Sequence, residues 1–74
     1  MKKIYLIKHT RRGQPVSWFV AGTHTTLSID HAAQFTSKAK AQLEARVLED
    51  NLEYPRGTPF VTVVSMFKSG GIVL

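Results

Sequence analysis

A chain of 74 residues has room for one domain and excludes a second, at a size where a lone hydrophobic core is only just sufficient. Its 43% hydrophobic content, with four Phe, two Tyr and Trp18, excludes wholesale disorder, and the absence of cysteine excludes disulfide staples and thiolate metal sites, so stability has to come from packing. The net charge of +5 is uneven: before Asp30 the chain carries Lys2, Lys3, Lys8, Arg11 and Arg12 and no acid, a balance that favours anionic partners.

Met1-Lys2-Lys3 resembles the charged start of an export signal, but the apolar run Ile4-Tyr5-Leu6-Ile7 stops at Lys8, short of the seven or so apolar residues such a segment needs. No stretch approaches the roughly 20 residues that span a bilayer, and the expectation is a soluble, cytoplasmic protein. Residues 3–9 are β-branched and aromatic and lead into the turn-forming stretch Thr10 to Pro15, which predicts a first strand and a loop. Residues 16–21 make a second strand, with Gly13 able to take positive φ in the loop, so the pair reads as a hairpin with a basic tip. Residues 22–27 are polar and poor in helix formers and are expected to leave the sheet.

A change of period follows. Ser28 or Asp30 can cap a short helical turn running through His31 to Phe35, and Thr36 or Ser37 can cap a longer helix over 38–51. Within that helix Ala39, Leu43 and Val47 stand at i, i+4 and i+8, giving an apolar stripe widened by Leu48 and expected to lie on the sheet. Tyr54-Pro55-Arg56-Gly57 fits a type I turn. Residues 60–67 carry the strongest strand pattern, and Lys68-Ser69-Gly70-Gly71 turns the chain into a short strand at 72–74. The fold class is therefore α+β: a small antiparallel sheet in β-β-α-β-β order with one main helix packed on one face.

One helix covers one face of such a sheet, yet the strands carry bulk on both. Ile4 and Leu6 oppose Tyr5 and Ile7; Trp18 and Val20 oppose Phe19; Val61, Val63 and Phe67 oppose Val64 and Met66. Either the turn around Phe35 folds over the second face, or another chain covers it, for which a homodimer is the expectation.

Lys8, Arg11 and Arg12 surround the first loop with Trp18 beside them, and Lys38 and Lys40 stand in the first turn of the helix. Positive charge interleaved with an aromatic ring suits a nucleic acid or another anionic partner. Glu49, Asp50 and Glu53 cluster at or just beyond the helix end, against the macrodipole preference like the two lysines, and read as an acidic patch for a partner. His9, His24 and His31 lack the spacing of a zinc motif, so neither metal nor cofactor is expected. Ser17, Ser28, Ser37, Ser65 and Ser69 sit in no nucleophile elbow, and Gly70-Gly71 is misplaced for a phosphate loop, so no catalytic activity is expected.

The run Ala32-Ala33-Gln34-Phe35-Thr36-Ser37-Lys38-Ala39-Lys40-Ala41, after strands containing Trp18-Phe19-Val20, resembles small phage and prophage accessory proteins of unassigned function, in which an Ala-x-x-Phe-Thr/Ser-Lys run opens a helix after a hairpin. The resemblance spans only those residues and assigns no functional position; it implies compact proteins that bind and redirect host macromolecules, including defence systems. The leading expectation is a non-catalytic interaction protein that binds another macromolecule, protein rather than nucleic acid, through a sheet face or the basic hairpin. The rival is a sequence-independent nucleic-acid-binding domain.

Overall fold

The computed structural model describes residues 2–55, 58–69 and 72–73. Within them the chain runs β1 (Lys2–His9), β2 (Ser17–Ala21), β3 (His24–Thr26), a 3-10 turn (Ile29–His31), α1 (Lys38–Asn51), β4 (Val61–Ser69) and β5 (Ile72–Val73). All strands join one antiparallel sheet in the order β3-β2-β1-β4-β5. This is the expected α+β arrangement with one strand added. Residues 24–26, expected in a loop, pair with β2 because Gly22, at φ +59°, reverses the chain and delivers two β-branched threonines to the sheet edge. The turns expected at 54–57 and 68–71 involve residues 56–57 and 70–71, which lie outside the described residues, as does Leu74. Among the described residues, no helix is long and apolar enough to cross a membrane.

The central ladder is long, running from Lys2 opposite Lys68 to His9 opposite Val61. Alternation puts Ile7 of β1, Phe19 of β2 and Val61 of β4 on one face, and α1 closes that face with Ala45 and Leu48. The buried side of α1 is Ala41, Ala45, Leu48 and Glu49, whereas Leu43 is 61% and Val47 50% exposed. The expected stripe of Ala39, Leu43 and Val47 thus faces outward, and only Leu48 of the expected set packs inward. The reason is steric. Ile7, Phe19, Val61 and the half-buried Phe35, whose ring lies 6.4 Å from that of Phe19, already fill the space under the helix. Small side chains at i and i+4 let the helix settle on that bulk.

Both helix ends are capped locally. Ser37 accepts the Lys40 N–H at 3.3 Å, as expected of an N-cap. At the other end Glu53 takes φ +60°, the Tyr54 N–H reaches the Glu49 carbonyl at 2.9 Å and the Glu53 N–H the Asp50 carbonyl at 3.2 Å. That pair of bonds is a Schellman motif with glutamate where glycine is favoured. Leu52 and Tyr54 then pack against the core beneath α1.

On the opposite face Ile4, Leu6 and Ala32 form a second buried cluster with Trp18, Ile29, Val64 and Met66 around it. The helical turn expected over 31–35 is displaced to Ile29–His31, and Ile29 and Ala32 from this segment provide the cover expected of Phe35. Phe35 itself lies in extended chain: its N–H and C=O bond to Tyr5 at 3.0 and 2.7 Å, and Ala33 N–H bonds to the Phe19 carbonyl at 2.9 Å. Strands β1 and β2 pair only at Lys8–Trp18 and His9–Ser17 before separating. The 33–35 segment fills the wedge between them, satisfying backbone groups that the divergence would strand.

Candidate functional site

The structure divides the basic residues singled out in the sequence. Lys8 and Trp18 are cross-strand partners, both half-buried, on the face opposite α1, and Arg11 and Arg12 are exposed in the loop at that end of the hairpin. Lys38 and Lys40 are exposed on α1, across the sheet from Trp18. The six residues therefore make two surfaces. Trp18 also packs against the second core cluster and is only partly buried there.

The acidic residues separate as well. Asp50 and Glu53 are exposed, but Glu49 is only 5% exposed and its Oε2 accepts the Thr58 N–H at 3.3 Å. Glu49 is thus corrected from a patch residue to an internal tie between α1 and the segment leading into β4. Its position after Leu48 on the inward side of the helix explains this.

His9 links three elements. Its Nδ1 lies 3.2 Å from Ser17 Oγ, its Nε2 lies 3.1 Å from Tyr54 Oη, and Ser17 Oγ–H donates to the His9 carbonyl at 3.4 Å. With Nδ1–H donating to Ser17, Nε2 accepts from Tyr54, so the neutral ring satisfies the set. Desolvation by burial, and then the Arg11 charge, lower its pKa from the ordinary 6.5. Ser17 is buried, so the arrangement offers no nucleophile to a substrate and serves to tie β1 to β2 and to the helix exit. Among the described residues, no group of three metal-ligating side chains gathers.

A different feature emerges along β4. Tyr5 uses both backbone groups on Phe35, on the side of β1 away from β4, so in the antiparallel alternation Tyr5 and Ser65 face each other without exchanging bonds. Ile4–Met66, Leu6–Val64 and Lys8–Thr62 are then the bonded pairs, and the Thr10 N–H to Phe60 carbonyl bond at 2.8 Å continues the same phase. It follows that Val61, Val63 and Ser65 turn their N–H and C=O groups to the other edge of β4. Among the described residues, β5 pairs with β4 only at Lys68 and Ser69, so no strand lies opposite Val61 to Ser65.

Helix α1 rises beside this edge, and an open groove of about 670 Å³ runs between them. Lys38, Gln42 and Arg46, at i, i+4 and i+8, supply a polar wall, and Ala45, Val61 and Val63 supply apolar surface. The arrangement can hold an extended chain by its backbone, and Glu49 and Thr62 complete its lining. None of Gln42, Arg46, Val61, Val63 or Ser65 is marked out as a binding residue by sequence reasoning.

Comparison of the chain with protein-family models, curated proteins and solved structures finds no match, so the reading of its function rests on the residues themselves.

Proposed function

We propose that this protein is a non-catalytic interaction module that binds an extended segment of another protein as an added strand on β4. The observation that carries the reading is the row of outward backbone groups at Val61, Val63 and Ser65, next to the groove under α1. Strand addition of this kind draws affinity from main-chain hydrogen bonds and specificity from the alternate side chains that enter the neighbouring groove. The exposed edge is also a hazard that soluble proteins ordinarily blunt with charge, bulges or cover, so a strand left open beside a groove suits a docking role. The test is selection of a random heptapeptide library on the immobilised protein, followed by amide hydrogen exchange with and without the selected peptides. Protection appearing at Val61, Val63 and Ser65 supports the reading. Selected peptides that leave these amides unchanged, or protect only the loop around Arg11 and Arg12, refute it.

A second reading is favoured by Lys8 and Trp18 lying side by side at the base of the Arg11–Arg12 loop. This is a sequence-independent grip on nucleic acid, with phosphates on the cations and a base on the exposed part of the indole. Retention on single-stranded DNA at low salt that is lost in an Arg11→Glu, Arg12→Glu variant supports it; absence of retention by the parent protein removes it.

A further inference from the structure

We infer that the segment taken up by the β4 edge is acidic, with carboxylates at positions i and i+4 of the bound strand; this rests on the proposed strand-addition reading and names its partner. Two cations, Lys38 and Arg46, stand on the groove wall with the neutral Gln42 between them, and both are exposed. The acid in the lining among the described residues, Glu49, directs Oε2 to the Thr58 N–H. The spacing can be worked out. Eight residues of helix rise about 12 Å, which matches about four residues of strand at roughly 3.3 Å each. Residues i and i+4 of an extended chain share a face, so one strand can present both carboxylates to α1 while its backbone bonds to Val61, Val63 and Ser65. Residue i+2, between them, comes opposite Gln42, whose amide can donate to or accept from a polar side chain.

Charge also decides against a second copy of this chain in the same place. Two β4 edges paired about a two-fold axis at Val63 set the two α1 helices antiparallel across a shared groove, bringing Lys38 of each copy toward Arg46 of the other. Like charges so placed oppose association. The chain as a whole, at +5, likewise attracts an acidic segment and repels itself.

The experiment is a paired selection from one random heptapeptide library, on the parent protein and on a Lys38→Glu, Arg46→Glu variant. Both positions are exposed, and a far-ultraviolet circular dichroism spectrum and melting curve confirm that the variant folds. Expected is enrichment of Asp or Glu at i and i+4 on the parent, at 50 mM salt, with about tenfold weaker binding of those peptides to the variant. The variant is also expected to select Lys or Arg at the same spacing. Peptides that protect the Val63 and Ser65 amides yet show no acidic preference, or bind the variant equally, overturn the inference while leaving strand addition standing. Peptides that bind without protecting those amides defeat both. Protection of the two amides that rises with protein concentration in the absence of peptide assigns the edge to a second copy and overturns the inference.

Discussion

The orientation of α1 decides which side chains line the groove, and two leucines five residues apart test it. Leu48 is fully buried and Leu43 is 61% exposed. Truncating a leucine in a closed core removes its transfer free energy and leaves a cavity, so Leu48→Ala is expected to cost about 3–5 kcal/mol. Burying a whole leucine side chain is worth about 1.5–3 kcal/mol. Leu43 withdraws only about two-fifths of its surface from water, alanine keeps part of that, and alanine is the better helix former. Leu43→Ala is therefore expected to cost about 0.5 kcal/mol or less. A domain of this length has about 4–11 kcal/mol of stability in total, so Leu48→Ala removes a large share of it and lowers the melting temperature by at least about 12 °C. Urea denaturation of the two variants followed by circular dichroism, with equal m-values, measures the difference. Equal losses, or a larger loss for Leu43→Ala, would show that the helix presents its Ala39–Leu43–Val47 side to the sheet, and the groove as described would not exist.

His9 makes stability depend on pH in a known direction. Because its folded pKa lies below the ordinary 6.5, the unfolded chain binds the proton more readily. The contribution is full above pH 6.5 and is lost as pH falls through 6.5 toward the folded value. Denaturation at pH 7.5 and 5.0 should show a drop in the parent that shrinks in His9→Gln, and an identical drop in both proteins would assign the effect elsewhere. Glu53, at φ +60° in the helix C-cap, bears a conformational penalty that glycine avoids, so Glu53→Gly should stabilise by about 0.5–1 kcal/mol. A destabilised Glu53→Gly would mean that the glutamate side chain makes a contact outweighing its backbone strain.

Local features were legible in the sequence where one residue type decides the geometry. Thr36-Ser37 announced the start of α1, with Ser37 proving to be the cap, and the β-branched and aromatic runs announced β1, β2 and β4, because capping and strand formation depend on near neighbours. The face of the helix was not legible. Two stripes satisfy the helical period, Ala39–Leu43–Val47 and Ala41–Ala45–Leu48–Leu52, and choosing between them depends on how much room Phe19 and Phe35 leave, which is a tertiary quantity. Phe35 misled for the same reason: its extended bridge to Tyr5 answers the separation of β1 from β2, a long-range event. The candidate site was hidden more deeply still. Its outward groups belong to the backbone, and which β4 residues face outward depends on the phase of a ladder with β1, more than 50 residues away in the chain.

The most direct test of the open edge is amide hydrogen exchange of the free protein at low concentration, read residue by residue along β4. Thr62, Val64 and Met66 donate into the β1 ladder, whereas among the described residues no strand lies opposite Val63 and Ser65 to accept from them. If opening the ladder costs at least about 3 kcal/mol, the first set should exchange more than about 100-fold more slowly than the second, in strict alternation. Uniform protection from Val61 to Met66 in the dilute, peptide-free protein would contradict the account, because it would mean that the edge of β4 is already paired.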